Sequence, residues 1–148
     1  MRTTADFKEE KNKIKLFKSR KESLQWINEL EFIKDDRIFL EHLLGSHFLA
    51  LSTPKLYEPT KELINDLKKV ENKRLELLVT IKIHKKRIVT LIESIESTEK
   101  LEFKNEHSKI KKEFEKYVLN FKKVKKDIFD MIKEILKKDK LKFLIEKQ

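Results

Sequence analysis

The chain of 148 residues contains no cysteine, one glycine and two prolines. The absence of cysteine excludes disulfides, cysteine-ligated zinc, iron–sulfur clusters and thiol nucleophiles. With Gly45, Pro54 and Pro59 as the only strong helix breakers, the sequence favours long helices over turn-rich β folds. No Walker, nucleophile-elbow or dinucleotide-binding motif occurs. We therefore expect no catalytic residues and no cofactor, which means a protein that is not an enzyme.

Long hydrophobic runs are also missing. The longest purely apolar run, from Phe48 to Leu51, is far shorter than the roughly 20 residues that span a bilayer. The first residues carry no apolar core of a signal peptide. We expect no membrane association and a cytoplasmic protein. Hydrophobic residues still make up 39% of the chain, a share that indicates a folded protein rather than a disordered one.

Three segments repeat apolar residues at spacings of three and four, the pattern of helices that bury one face. We predict an all-α fold: an antiparallel bundle of three long helices with heptad-like seams, plus short helical segments at both termini. The predicted helices cover about 23–51, 59–97, 100–138 and, after the register fails beyond Ile135, 140–147. The break between the second and third helices has only weak capping signals, so a single continuous helix there stays open as an alternative.

The sequence predicts one domain with a basic extension. Residues 1–22 form an arm that is partly helical or disordered, because their apolar residues follow no clear stripe. Residues 23–148 form a single helical-bundle domain. Pro59 is predicted as the first residue of the second helix, since the missing N–H of proline costs nothing at that position.

The first long helix carries more apolar surface than one face requires. Beyond its main stripe, Phe32, Phe39 and Leu43 fall near one another on a second face. A helix that is apolar on two faces is covered on two faces, either by the ends of this chain or by another chain. We predict that these residues form the interface of a homodimer or bind a helical protein partner. The expected function is a non-catalytic interaction or scaffold protein that self-associates.

Two arginines, Arg37 and Arg74, interrupt the apolar stripes of the first two helices. Buried cations need carboxylate partners, and the candidates are Glu41, Glu71 and acidic residues of the third helix. We predict a buried polar layer of Arg37, Arg74 and Glu41 that fixes the register of the helices. A ligand or switch site, and arginines that extend outward to solvent, stay open as alternatives.

The four histidines do not form a metal motif. No Glu-x-x-His or His-x-x-x-His pair occurs on one helix face, so we expect no metal site. His84 and His107 both occupy stripe positions, and they approach each other only if the turn between their helices falls near residue 96.

The net charge of +10 raises the question of nucleic-acid binding. Lysines cluster on the third helix, and the strongest candidate for a polyanion-binding face is Lys122, Lys123, Lys125 and Lys126. Acidic residues are interleaved among them, and no helix-turn-helix spacing or aromatic stacking platform is present. Nucleic acid is therefore the alternative partner, not the favoured one.

Overall fold

A computed structural model of the chain describes residues 3–93 and 97–146. Four helices follow one another: α1 (Thr4–Ser46), α2 (Phe48–Leu51), α3 (Pro54–Glu93) and α4 (Ser97–Glu146). No strand occurs within the described ranges. The predicted all-α bundle of three long helices is confirmed. The alternative of one helix running through the second break is wrong, because α3 and α4 are separate helices whose residues contact each other.

The chain divides into two compact units, each with segments of α1, α3 and α4. Unit 1 comprises residues 1–32 and 74–116, and unit 2 comprises residues 33–73 and 117–148. The apolar stripe predicted on the first helix is buried in both units, as expected for helices that are stabilised mainly by packing. Its members are Trp26, Leu30, Ile33, Leu40, Leu44 and Leu51.

Unit 1 has α1 and α4 running parallel, with α3 antiparallel to both. Its core includes a cluster of buried side chains, Leu16, Ile88, Leu91 and Phe103. Further along, Trp26 of α1 packs against Phe114 of α4, with ring centroids 5.7 Å apart. Because both partners advance together along the chain, α1 and α4 point the same way.

Unit 2 packs α3 and α4 antiparallel. The hydroxyl of Tyr117 donates a hydrogen bond to the carbonyl oxygen of Val70, at 3.1 Å. The hydroxyl of Thr60 donates to the sulfur of Met131, at 3.4 Å. The last buried residue of α4 is Ile135, and residues 136–146 are all exposed.

The beginning of α1 differs from the prediction. Residues 1–22 are predicted as an arm that is partly helical or disordered, but residues 4–22 form the first part of α1. Residues 1–2 lie outside the described residues. Thr3 caps the helix: its backbone N–H and its hydroxyl donate to the carboxylate of Asp6, and the N–H of Asp6 donates back to that hydroxyl. This reciprocal arrangement is a capping box, and the bond from the Thr3 backbone lowers the pKa of Asp6. The single-domain prediction for residues 23–148 stays a prediction.

The first connection also differs. The first helix ends at Ser46, not at Leu51, and the next residues form the separate turn of α2. The third helix begins at Pro54, so this proline takes the first helical position and Pro59 lies inside the helix. The carbonyl of Thr53 accepts the N–H groups of Leu56 and Tyr57, which fixes the start.

The predicted end of α3 and both predicted ends of α4 also need correction. α3 ends at Glu93 rather than near 97, and α4 begins at Ser97 rather than near 100. The predicted break after residue 138 is absent, because α4 continues without interruption to Glu146. The helix predicted for 140–147 is thus the end of α4, and its residue 147 lies outside the described residues.

Candidate functional site

The predicted interface residues lie on α1 with different exposures. Phe32, in unit 1, is 71% exposed, and Phe39, in unit 2, is 56% exposed. Leu43 is half-buried. Large aromatic side chains exposed to this degree are common at partner surfaces, and the interface stays a prediction.

Arg37 of unit 2 lies between two carboxylates. Its Nη1 donates to Oε1 of Glu41 at 2.6 Å, and its Nε is 2.9 Å from Oε2 of Glu71. The side chain of Arg37 is only 14% exposed. In unit 1, Arg74 is buried, with Nη1 3.9 Å from Oε1 of Glu31. Both arginines therefore have acidic neighbours, and the prediction that they share one layer with Glu41 stays a prediction.

The predicted polyanion face lies on the unit 2 part of α4. Lys122 and Lys123 are exposed. Nζ of Lys125 donates to Asp36 at 3.0 Å, and Nζ of Lys126 donates to Asp130 at 2.8 Å. Two of its four ammonium groups thus already have carboxylate partners in this chain, and polyanion binding stays a prediction.

The most unusual polar group is a pair of buried histidines in unit 1. His84 of α3 and His107 of α4 occupy one level of the core, with Nε2 of His84 2.8 Å from Nδ1 of His107. His84 stacks on Phe103 at a centroid distance of 4.1 Å, and His107 stacks on Trp26 at 4.7 Å. The sequence predicts contact between the two histidines only for a turn near residue 96; α3 ends at Glu93 and α4 begins at Ser97, and residues 94–96 lie outside the described residues.

The hydrogen-bond partners fix the position of each proton. Nδ1 of His84 is 2.6 Å from Oε1 of Glu106. Since a carboxylate only accepts, this nitrogen donates, and in a neutral ring Nε2 of His84 must then accept. Nδ1 of His107 therefore donates to it. In a neutral His107, the remaining Nε2 is an acceptor.

Burial favours the neutral form of both rings. Desolvation lowers the pKa of His84, and the neighbouring Glu106 offsets this only in part. Desolvation and the adjacent His84 lower the pKa of His107, and the Glu22 carboxylate offsets this only in part. Burial by itself would raise the pKa of Glu106, but the hydrogen bond from His84 and the charge of Arg87 outweigh it and lower that pKa. Nη1 of Arg87 donates to Oε2 of Glu106 at 2.5 Å.

His107 also lines a groove between α1 and α4 in unit 1. The groove has a volume of about 460 Å³. Nε2 of His107 is buried without a hydrogen-bond partner and lies 3.7 Å from Oε1 of Glu22. The rim carries six lysines, namely Lys8, Lys15, Lys18, Lys100, Lys104 and Lys111.

A second groove, which we call the end groove, lies in unit 2 between the end of α1, α2 and the start of α3. Its volume is about 530 Å³. Most of its lining surface is apolar and comes from Leu44, Phe48, Leu51, Tyr57, Ile64 and Leu67; Glu41, Lys61 and Lys68 also line it. Such a groove suits aliphatic or aromatic side chains rather than a charged ligand.

Sequence reasoning identified the two histidines as stripe residues but not the grooves. The lysines that flank His107 recur at helical spacing, as in Lys100, Lys104 and Lys111. That signal becomes useful only when α1 is known to begin at Thr4 and to run parallel to α4. Over the described ranges, no three His, Asp or Glu side chains come together as a metal site.

Within the part of the chain that the structure describes, no helix is both long and apolar enough to cross a membrane. Comparison with protein-family models, with curated proteins and with solved structures finds no match to this chain.

Proposed function

We propose that the protein is a non-catalytic interaction module that self-associates as a two-fold dimer through one end of unit 2. The observation that carries this proposal is the exposed apolar face at the end of α4. We call residues 136–146 the tail: they are helical and all exposed, although several are large and apolar.

The tail extends past the start of α3. Thr60 contacts Met131, and α3 begins six residues before Thr60, at Pro54. In an antiparallel pair, α4 therefore passes the start of α3 near Lys137. At about 1.5 Å per residue, the rest of the tail reaches roughly 14 Å further. Leu141, Leu144 and Ile145 share one face of it, at the spacing i, i+3, i+4, and each is more than half exposed.

The end groove and the tail lie at the same end of unit 2. A three-turn helix has little stability in water unless its apolar face is covered. Amphipathic helices bind apolar grooves through anchors at this spacing. Because α4 is continuous, the tail projects away from its own chain, and a second copy brings another tail and another groove. Reciprocal insertion of each tail into the partner's end groove gives a closed dimer.

Light scattering after size exclusion, at micromolar concentration, tests the proposal. We expect a mass of two chains for the natural sequence and of one chain for Leu144→Asp, because the charge enters the buried face. The matched control is Leu119→Asp, which changes a leucine that is 68% exposed on the same helix and leaves the dimer intact. Circular dichroism verifies that both variants keep their helices.

The variant Phe39→Asp distinguishes a dimer interface at the tail from the interface predicted on α1. A dimer in Phe39→Asp together with a monomer in Leu144→Asp supports the tail. A monomer in Phe39→Asp with a dimer in Leu144→Asp assigns the interface to the α1 face and overturns the proposal. A natural sequence that is monomeric up to 100 micromolar, a concentration chosen for the experiment, overturns self-association altogether.

A further inference from the structure

We propose that the groove between α1 and α4 in unit 1 binds a sugar phosphate, with the phosphate among the lysines and a sugar hydroxyl between Glu22 and Nε2 of His107. This inference is independent of self-association, since it concerns unit 1 alone. It rests on the size of the groove, on the distribution of charge along it and on the acceptor of His107.

The groove has the size of a small-molecule site. Its volume of about 460 Å³ falls within the usual range of such sites, roughly 300–1,000 Å³. A single inorganic ion would leave most of it unfilled. The buried side chains of Leu16 and Phe103 form part of the lining, which gives the carbon skeleton of a ligand an apolar surface to contact.

Charge is unevenly distributed along the groove. Six lysines line it against one carboxylate, Glu22. Because α1 and α4 run parallel, the early residues of both helices lie at one end, and Glu22 and Lys111 lie at the other. Nζ of Lys111 is 3.8 Å from Oε2 of Glu22, so the end with the excess positive charge contains Lys8, Lys15, Lys18, Lys100 and Lys104. That end suits a phosphate.

The other end offers acceptors. Nε2 of His107 is an acceptor in the neutral ring, and it faces the Glu22 carboxylate, which only accepts, across 3.7 Å. His107 is 8% exposed, so solvent does not satisfy this nitrogen. The Glu22 side chain is about a quarter exposed and can rotate outward to admit one oxygen. A hydroxyl in that position donates its proton to one of these two acceptors. A second hydroxyl of the same sugar donates to the other acceptor.

The two ends together specify the ligand class. Inorganic phosphate pairs with the lysines, but its oxygens accept hydrogen bonds and therefore offer no donor to Glu22 or His107. An amine satisfies the acceptors but is repelled by the lysines. A phosphorylated sugar carries both an anion and hydroxyl donors. Lys18 lies about 6 Å along the helix axis from Glu22, a separation of about one sugar ring. The sugar phosphate is either free or part of a nucleotide.

Isothermal titration calorimetry of the full chain at low salt tests this assignment with four probes: ribose 5-phosphate, adenosine monophosphate, inorganic phosphate and ribose. We expect ribose 5-phosphate to bind at least tenfold more tightly than inorganic phosphate, and ribose not to bind. Tighter binding of adenosine monophosphate identifies the source as a nucleotide, and tighter binding of ribose 5-phosphate identifies a free sugar phosphate. Equal affinity for ribose 5-phosphate and inorganic phosphate reduces the groove to a non-selective cationic surface and overturns the proposal.

Glu22→Gln gives a second, diagnostic test. The new amide can itself donate to Nε2 of His107, and it removes the negative charge from the groove. Inorganic phosphate should therefore bind more tightly, while ribose 5-phosphate loses at least tenfold in affinity. Lys104→Gln should weaken both, and Lys122→Gln in unit 2 should weaken neither. If Glu22→Gln strengthens both ligands in parallel, only charge matters and the hydroxyl contact is refuted.

Discussion

The imidazole rings of His84 and His107 and the carboxylate of Glu106 form a polar cluster in unit 1. The apolar core side chains of Ile88 and Phe103 lie in the same unit. The polar atoms are tolerated there because they bond to one another: Glu106 accepts from His84, and His84 accepts from His107. A buried polar network is stabilising when each of its members is satisfied. The Nε2 of His107 is the exception, and a buried polar atom without a hydrogen bond calls for an explanation, such as a functional role or a bound water or ion.

The histidine pair should make stability depend on pH. The folded pKa values of His84 and His107 lie below their ordinary value of 6.5. Below about pH 6.5 the unfolded chain therefore binds more protons than the folded one, so the free energy of unfolding falls as the pH is lowered. The slope cannot exceed about 1.4 kcal/mol per pH unit for each proton. The pKa of Glu106 is also lowered, from an ordinary value of 4.5. Below about that pH, protonation of this carboxyl reduces the free energy of unfolding further.

Urea unfolding between pH 5.5 and pH 8 measures this dependence. The double variant with His84→Leu and His107→Leu should show a much flatter profile over that range. His42→Gln, which changes an exposed histidine outside the pair, should keep the original slope. A double variant that keeps the full slope would assign the effect to other groups.

At the scale of single elements, the apolar stripes were readable from the sequence because a helix repeats its buried positions every three or four residues. The boundaries were less readable, for physical reasons that differ from end to end. The start of α1 depends on Thr3 and Asp6, a capping box with aspartate instead of the usual glutamate. The tail of α4 was predicted as a separate helix because burial ends at Ile135, yet backbone hydrogen bonds continue where burial does not.

The candidate sites were harder to predict than the helices. His84 and His107 were recognisable as stripe residues, but their contact depends on where α3 ends and α4 begins, which no strong sequence signal marks. The groove beside them requires two facts that the sequence does not state: that residues 4–22 are helical, and that α1 lies next to α4 in unit 1. Tertiary neighbours, rather than local patterns, determine both.

Gly45 provides a test of helix stability near the end of α1. It is helical, its φ is negative, and a Cβ added there would meet no atom within 4 Å. Gly45→Ala should therefore raise the free energy of unfolding by about 0.5–1 kcal/mol, because alanine loses less backbone entropy in a helix. Thermal unfolding in dilute solution measures the change. A lower melting temperature would show that the backbone at residue 45 requires glycine.

At the scale of the whole molecule, self-association should couple stability to concentration. If the folded chain is a dimer, mass action raises the melting temperature as the protein becomes more concentrated. For a chain of this length we expect roughly 2 °C for each tenfold increase. Leu144→Asp should melt at a temperature that does not change with concentration, whereas Leu119→Asp should behave like the natural sequence. An unchanged melting temperature of the natural sequence over a hundredfold range would argue for a monomer.

The stacking of Trp26 on His107 has an optical consequence. Trp26 is the only tryptophan in the chain, and its indole lies 4.7 Å from the imidazole whose Nε2 borders the lysine-lined groove. The emission of an indole responds to the charge and hydrogen bonding of a ring stacked against it. The natural fluorescence of the protein therefore reports from a single known position in the core, so that protonation of His107, or a ligand that reaches it, can be followed without any attached label.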